Sequence, residues 1–354
     1  MGVGLEASAF RIVEGQYLRD ILDQPRALAA TLEQLRIPPE LNDLTASLRE
    51  GKIKRIILTG MGASFHALHP LFLRLNEHGY TALAVETSEL VHSLAQWFAP
   101  ETVIVAVSQS GKSAEIVRLI EENRGRAALV AITNGAESPL ALRANATIIT
   151  AAGKESSVSC KTYLTALMAL HLLSAYLCSA DAIQTREELA QLVPAVDSYL
   201  RTWKDRVLEM AAEIGSTHHF FLLGRGASLA AAGEGALILK ESVRIYAEGM
   251  SGAAFRHGPL EMVSREMFAA VFAGTEETKA LQAKLRDDIA HAGGKTAWIA
   301  EDASSRPWTL PKVAAGVQHV LEILPVQMMT LALAAEAGAE AGRFTHIAKI
   351  TTTE

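Results

Sequence analysis

The stretch Val103–Ser113, VIVAVSQSGKS, places five apolar residues directly before a loop of serine, glutamine and glycine. The helical pattern of residues 114 to 123 follows at once. A continuous apolar run that leads through a short polar loop into a helix is typical of a buried strand in a parallel sheet. The stretch therefore predicts an α/β fold with a polar loop at the carboxyl edge of its sheet.

The chemistry of this loop favours a phosphate ligand. Serine hydroxyls and the free N–H groups of a helix N-terminus would converge on one point above the sheet edge. The loop has neither the lysine and spacing of a P-loop nor the three glycines of a dinucleotide fingerprint, which argues against a nucleotide. We therefore predict a small phosphorylated metabolite. The alternative is that these serines only cap the following helix.

Two strand-to-glycine-turn segments repeat along the chain. Ile56–Ser64 reads IILTGMGAS and Phe220–Ser228 reads FFLLGRGAS, a displacement of 164 residues. The same displacement carries Val103–Gly111 onto Met267–Thr275, MFAAVFAGT, which has no serine. We expect two β/α units of roughly 150 residues with parallel sheets and right-handed crossovers. The serine loop belongs to the first copy only, so the copies are expected to share a fold and not a role.

Composition excludes several classes of protein. The 354 residues are 49% hydrophobic with a net charge of −6, and no basic patch suggests nucleic-acid binding. Cys160 and Cys178 have no metal-ligand spacing, so we expect no metal, no disulfide and a reducing, cytoplasmic setting. The first 30 residues do not resemble a signal peptide. Leu164–Cys178 is apolar but too short to span a bilayer, so we expect a buried helix and no membrane partner.

The pattern along the chain predicts four parts. Residues 1–45 form an N-terminal helical arm, in which Tyr17–Leu35 is an amphipathic helix interrupted at Gln24-Pro25. Residues 46–195 form the first β/α domain with the phosphate loop, and residues 196–341 form the second. Residues 181–214 have helical spacing and provide a helical connection. Residues 342–354 form a C-terminal tail.

Taken together, the motifs resemble those of the sugar isomerase (SIS) family. They are GMGAS at Gly60, SQSGKSAE at Ser108, SVSCKTYLTAL at Ser157, GRGAS at Gly224, EGALILKE at Glu234, AEG at Ala247, FRHGP at Phe255 and HIAKITTTE at His346. More narrowly, nearly the whole chain resembles the isomerase half of glucosamine-6-phosphate synthase and its relatives, the aminosugar-phosphate deaminases and fructosamine-phosphate deglycases. The resemblance implies two tandem SIS domains, each a doubly wound, flavodoxin-like three-layer αβα sandwich that binds no nucleotide. The sequence before Ile56 does not match a glutaminase domain, so no glutamine hydrolysis is expected.

The resemblance implies a set of substrate-binding residues, most of them in the first domain. They are Ala63, Ser64, Ser108, Gln109, Ser110, Ser113, Ser157, Ser159 and Ala348. Those of the serine loop would hold the phosphate and nearby hydroxyls, and Ser157 and Ser159 would close over the sugar. Ser64 is equally consistent with a helix cap, and Ser157 could contribute only a backbone amide.

The resemblance also implies three catalytic side chains. Glu241 would move a proton between C1 and C2, and His257 would protonate the ring oxygen to open the ring. Lys349 would form an imine with the open-chain ketose, for which the tail must fold over the site. Each has a plainer alternative: a helix-surface glutamate, a histidine bonded to a turn, and a solvated lysine. Ile238 stands where the synthase has a lysine, which puts synthase-like chemistry in doubt.

The sequence thus predicts an aminosugar-6-phosphate isomerase or deaminase without any cofactor. Two alternatives remain: a fructosamine-6-phosphate deglycase and a non-catalytic phosphosugar sensor. A pure sensor would leave the retention of Glu241, His257 and Lys349 unexplained. By the resemblance, the partner is a second copy of the chain, in a homodimer whose two active sites are shared between subunits.

Overall fold

The computed structural model describes residues 13–346, 348–351 and 353. The chain divides into two compact units, each built on one sheet. Of the described residues, the first-sheet unit comprises 26–155, 161–190, 346, 348–351 and 353. The second-sheet unit comprises residues 13–25, 156–160 and 191–345. The tail is therefore divided, since its residues up to 345 belong to the second-sheet unit and its described residues from 346 onwards belong to the first-sheet unit.

The first-sheet unit contains a parallel five-stranded sheet. Its strands are β1 (Arg55–Gly60), β2 (Ala82–Glu86), β3 (Thr102–Val107), β4 (Ala128–Thr133) and β5 (Ala146–Ile149). The strand order is β2-β1-β3-β4-β5, the order of the flavodoxin-like doubly wound fold. The order reverses between β1 and β3, where polar loops leave both strands at the same edge. In such sheets, ligands bind outside the carboxyl ends of the strands at this reversal.

Helices connect these strands. They are α2 (Gln24–Gln34), α3 (Leu41–Arg49), α4 (Ala63–His66), α5 (His69–Glu77), α6 (Thr87–Ser93), α7 (Ala114–Asn123), α8 (Pro139–Arg143) and α9 (Lys161–Leu177), followed by the first part of α10 (Ala182–Leu200). Helix α7 packs Ile116 and Leu119 against Ile57 and Ile104 of the sheet. All four side chains are buried, and such burial stabilises the unit by about 1.5–3 kcal/mol per large aliphatic side chain.

The second-sheet unit contains a parallel four-stranded sheet. Its strands are β6 (His219–Gly224), β7 (Ala247–Ser251), β8 (Met267–Phe272) and β9 (Lys295–Ile299), in the order β7-β6-β8-β9. Its helices, after α1 (Gln16–Leu22) and the second part of α10, are α11 (Trp203–Ile214), α12 (Leu229–Val243), α13 (Gly252–Arg256), α14 (Glu276–His291), α15 (Gln318–Leu321) and α16 (Ile323–Glu336). Phe221 and Phe255 meet edge to face in its core, with ring centroids 5.1 Å apart.

The predicted repeat and fold class are confirmed. Strands β1 and β6 begin 164 residues apart, at Arg55 and His219, and each pairs in parallel with the next two strands of its own unit. Helix α7 has the predicted bounds, and the predicted arm helix is interrupted at Asp23, next to Gln24. The apolar segment around Leu164–Cys178 forms the buried helix α9, as expected.

One helical stretch of the described residues is long and apolar enough to cross a membrane. It is Ala315–Glu336, which includes α15 and α16 and has a mean hydropathy of 1.3 over its most apolar window. However, 89% of that window is buried inside the protein. Burial of this extent is typical of the core helix of a globular domain.

Candidate functional site

Glycine allows two loops to approach each other at the carboxyl edge of the first sheet. Gly60 ends β1, and a Cβ atom there would lie 3.0 Å from both the carbonyl carbon of Ser64 and the carbonyl oxygen of Val107. No larger residue fits without displacing backbone. The turn that carries Ala63 and Ser64 therefore reaches the end of β3, where the serine loop begins. Ser64 is half-buried beside this loop.

The serine loop is held in shape by its own hydroxyls. The backbone N–H of Gly111 donates to Ser108 Oγ at 3.2 Å, and that of Lys112 donates to Ser110 Oγ at 3.3 Å. The carbonyl of Gln109 accepts a hydrogen bond from the backbone N–H of Asn134 at 3.1 Å. These hydroxyls accept, so their own O–H groups remain as donors, which is the role that a phosphate requires.

Glycine is also required inside the loop. Gly111 has a φ of +61°, and a Cβ atom there would lie 2.2 Å from Ser138 Oγ. The hydroxyl of Ser138 in turn accepts from the backbone N–H of Ala141 and caps helix α8. The loop is therefore packed against the neighbouring helix N-terminus.

Helix α7 begins directly behind the loop. Ser113 is its N-cap residue, with extended backbone, but its side chain makes no cap hydrogen bond. The Ser113 hydroxyl therefore does not cap helix α7 in this structure. The first backbone N–H of the helix, that of Ala114, donates to the carbonyl oxygen of Thr351 in the tail at 3.1 Å. The tail therefore reaches the N-terminus of α7 within the first-sheet unit.

The same tail brings Lys349 to a buried carboxylate. Its Nζ lies 2.6 Å from Oε2 of Glu155, whose side chain is 0% exposed, while the lysine side chain is 22% exposed. Glu155 also accepts from the backbone N–H of Thr162 at 3.1 Å and from its hydroxyl at 2.6 Å. Lys349 is therefore an ion-paired, largely covered residue. Ala348 and His346 are exposed.

The other expected sugar-binding serines belong to the second-sheet unit. Ser157 is buried, and its hydroxyl donates to the carbonyl oxygen of Gly342 at 2.7 Å. The backbone N–H of Gly342 donates to the carbonyl oxygen of Ser242 in α12 at 3.0 Å. The Ser157 hydroxyl thus anchors the beginning of the tail. Ser159 is half-buried.

Glu241 is half-buried in the last turn of α12. Burial raises the pKa of Tyr17 well above its ordinary value, and Cys160, Glu234 and Glu241 nearby raise it further. The Tyr17 side chain is therefore a permanently protonated hydroxyl whose surroundings include the Glu241 carboxylate. Glu234 and Glu241 are seven residues apart, two helical turns, and so lie on one face of α12.

His257 lies on an exposed turn. It follows the last residue of α13, and Gly258 after it has a φ of +133°. The preceding residue, Arg256, is fixed by an ion pair with Asp288 at 2.6 Å. The imidazole is thus presented to solvent from a well-anchored backbone.

In the second-sheet unit, side chains of the unit itself form hydrogen bonds at the edge that corresponds to the serine loop. The amide of Gln282 donates to the carbonyl oxygens of Leu223 and Phe272 at 3.0 and 3.1 Å, and Arg225 Nε donates to its Oε1 at 3.2 Å. Gln282 therefore joins the ends of β6 and β8. The hydroxyl of Ser228, the counterpart of Ser64, donates to the buried Glu322 at 2.8 Å. At this edge of the second sheet, the polar side chains are therefore hydrogen-bonded to partners within the protein. At the corresponding edge of the first sheet, serine hydroxyls remain available as donors.

Burial raises the pKa of Glu322 to about 8, although the hydrogen bond from Ser228 acts in the opposite direction. This carboxyl group is therefore mostly neutral at neutral pH. The sequence alone did not single it out.

The expected site residues thus fall into two sets. Ala63, Ser64, Ser108, Gln109, Ser110, Ser113, Ala348 and Lys349 belong to the first-sheet unit, and Ser157, Ser159, Glu241 and His257 belong to the second-sheet unit. Sequence reasoning missed Glu155, although it precedes the Ser157 motif by two residues. The only available signal was an acidic residue inside an otherwise small and polar segment.

Comparison with known proteins identifies the family. The model of the SIS domain matches twice, over residues 51–176 and 213–337. A glutamine–fructose-6-phosphate aminotransferase (isomerizing) of Pyrococcus horikoshii is 29% identical over 349 residues, which cover 95% of this chain and 57% of the relative. The chain thus spans little more than half of the length of this relative.

Solved structures agree. A candidate phosphosugar isomerase from Silicibacter pomeroyi is 28% identical, with a TM-score of 0.77 over 92% of this chain and 99% of the other. A glucosamine-6-phosphate deaminase from Thermotoga maritima shares the fold at 17% identity, with a TM-score of 0.76 over 96% of this chain and 100% of the other. The two family matches lie on the two sheets and include both strand-to-glycine turns. The chain therefore belongs to the SIS domain family and carries that domain twice.

Proposed function

We propose that this chain is an enzyme of the sugar isomerase kind that acts on an amino- or ketosugar 6-phosphate. It would open the sugar ring and move a proton between C1 and C2, with loss of the nitrogen when the substrate is an aminosugar. The P. horikoshii relative, by its name, converts fructose 6-phosphate and isomerises, which supports this class of substrate. We place the activity in the cytoplasm and expect no metal or organic cofactor.

One observation carries the proposal: the tail brings a lysine to the edge where the serine loop lies. Thr351 accepts from the first N–H of α7, one residue beyond Ser113. Lys349 is two residues earlier, and two residues of extended chain span at most about 7 Å. The backbone of Lys349 is thus near the start of α7, behind the serine loop, within one unit.

This arrangement suits a phosphorylated ketose. The hydroxyls of Ser108, Ser110 and Ser113 would donate to the phosphate dianion, and the positive end of the α7 dipole would stabilise it. The amine of Lys349 would form an imine with the C2 carbonyl of the open chain. By the family resemblance, Glu241 would carry the proton between C1 and C2, and His257 would open the ring.

The test is a screen of the purified protein against glucosamine, galactosamine and fructosamine 6-phosphates and fructose 6-phosphate. We expect release of ammonia with formation of a ketose phosphate, or aldose–ketose exchange. Release of an amino acid would instead identify a deglycase. Tight binding without any turnover would contradict an enzymatic function and identify a sensor.

Binding can be tested separately from turnover. Hydrogen bonds to a charged phosphate contribute about 1.5–3 kcal/mol each, so Ser110→Ala should weaken phosphosugar binding about tenfold or more. Calorimetry should find no such loss for Ser93→Ala, which changes an exposed serine of the same unit. Equal affinities for the wild type and Ser110→Ala would place the phosphate elsewhere.

Glu241→Gln should keep the affinity for the phosphosugar and lose turnover.

A further inference from the structure

The ion pair between Lys349 and Glu155 raises a chemical question that the proposed function leaves open. A lysine attacks a carbonyl carbon only as the neutral amine. In the structure, however, the Nζ of Lys349 is paired with a carboxylate at 2.6 Å, an arrangement that belongs to the ammonium form. One proton must therefore leave Nζ before the bond to the sugar can form.

We propose that Glu155 is the positioning residue that holds Lys349 at the site and takes this proton. The inference rests on the proposed function, because it concerns how the nucleophile of that function becomes reactive. It goes beyond it by assigning a task to a residue outside the expected set of catalytic side chains.

The surroundings of Glu155 suit this task. The carboxylate is buried, and it is fixed by the backbone N–H and the hydroxyl of Thr162. Thr162 lies in the first turn of helix α9. A carboxylate fixed in this way keeps its orientation when the tail moves. Its Oε2 is the atom that faces Nζ, so proton transfer needs no rearrangement.

The support for Glu155 extends into its loop. Asn134 accepts from the backbone N–H of Ala152 at 2.7 Å and donates to the carbonyl oxygen of Gly153 at 2.7 Å. Asn134 also follows β4, next to the serine loop, where its backbone N–H donates to Gln109. The segment that carries Glu155 is therefore bonded to the same edge of the sheet as the phosphate loop.

The steps balance as follows. A proton passes from the Nζ ammonium to Oε2 of Glu155, which leaves a neutral amine and a carboxylic acid. The amine lone pair forms the bond to C2 of the ketose, the carbonyl electron pair moves to oxygen, and the proton held by Glu155 passes to that oxygen. The Glu155 carboxylate then takes a second proton from nitrogen and gives it to the C2 hydroxyl, which departs as water. The product is the protonated imine, and Glu155 is again a carboxylate.

The experiment measures imine formation directly. Protein is mixed with fructose 6-phosphate and cyanoborohydride, which reduces the imine to a stable secondary amine, and mass spectrometry follows the adduct on Lys349. In Glu155→Gln we expect the trapping rate at neutral pH to fall at least tenfold, while calorimetric affinity for inorganic phosphate stays unchanged. Glu155→Asp keeps the carboxylate and should restore part of the rate.

The pH profile separates proton transfer from a purely structural role. Hydroxide can take the proton from Nζ in place of Glu155. The deficit of Glu155→Gln relative to the wild type should therefore shrink as the pH is raised. Glu187→Gln, the same substitution at an exposed position of the same unit, should trap at the wild-type rate throughout.

Three outcomes would overturn the inference. Equal trapping by the wild type and Glu155→Gln at neutral pH removes any role for Glu155 and leaves the proposed function standing. A loss that is the same at every pH assigns Glu155 to structure alone, and Glu155→Asp provides this comparison if Glu155→Gln does not fold. Absence of trapping in the wild type, with phosphate still bound, rejects imine formation and the inference together.

Discussion

At the scale of single residues, the two copies of the repeat differ in what their polar groups bond to. In the first copy, Ser108 and Ser110 accept from backbone N–H groups and retain their hydroxyl donors. In the second copy, Gln282 and Ser228 donate to partners within the protein. A ligand can therefore be bonded in the first copy without breaking an internal hydrogen bond of these serine hydroxyls. In the second copy it would have to replace existing bonds, each worth about 0.5–1.5 kcal/mol net.

Glu322 provides a prediction at this scale. Burial raises its pKa from the ordinary 4.5 to about 8, so the folded protein binds more protons than the unfolded chain across that window. The stability that this group contributes is therefore present at low pH and is lost as the pH rises towards 8. Glu322→Gln keeps the shape and an acceptor for Ser228 but does not titrate.

Chemical denaturation of both proteins checks this. Relative to Glu322→Gln, the wild type should lose up to about 4 kcal/mol of unfolding free energy between about pH 5 and pH 8, since one pKa unit corresponds to about 1.36 kcal/mol. All other titrating groups are common to both proteins and cancel in the difference. Stability curves that run parallel across this range would mean that Glu322 is ionised in the folded protein.

At the scale of elements, the sequence predicted those strands and helices whose formation depends on residues close together in the chain. The apolar run at residues 103–107 is strand β3, Thr102–Val107, because a strand buried on both faces is apolar at every position. The helix after it begins and ends where its amphipathic pattern does. The contacts of the tail were not predictable in this way. Lys349 and Glu155 are 194 positions apart in sequence, and only the path of the folded chain brings them together.

The beginning of the tail is fixed by a glycine, which gives a prediction for this element. Gly342 has a φ of +71°, and a Cβ atom there would lie 2.6 Å from Ser157 Oγ and 2.7 Å from the Cβ of Tyr17. Gly342→Ala adds this clash to a backbone strain on the order of 1–3 kcal/mol. We expect faster hydrogen exchange in the residues around 342 and a loss of turnover.

Gly338→Ala is the matched control. Gly338 also has a positive φ, +62°, but nothing lies within 4 Å of its Cβ position. This variant therefore carries the backbone strain without the clash and should keep most of its turnover. If the two variants lost turnover equally, the packing of Ser157 and Tyr17 around the tail would have no part in the activity.

At the scale of the whole molecule, the repeat predicted the fold correctly, because duplicated strand-to-glycine turns require duplicated sheets. It also predicted that a phosphate binds in the first copy only, which stays a prediction; in the second copy, Gln282 donates to the ends of both neighbouring strands. The division of the tail between two units was not predictable. A boundary of this kind depends on which surfaces the last residues pack against, and those surfaces are assembled from distant segments.

The exposed position of His257 leads to the last prediction. By the family resemblance, the turn that carries it would enter the site of a partner subunit in a homodimer, and each dimer would have two reciprocal sites. At a substrate concentration far below the dissociation constant, His257→Ala should be inactive alone, and Ser110→Ala should have about a tenth of the wild-type activity or less. In a mixed dimer, the serine loop of the His257→Ala subunit would meet the intact histidine of the other subunit and form one complete site. Random exchange gives half mixed dimers, so activity should recover to about a quarter of the wild-type level. Mass spectrometry that finds mixed dimers without recovered activity would assign His257 to its own subunit or remove it from the chemistry.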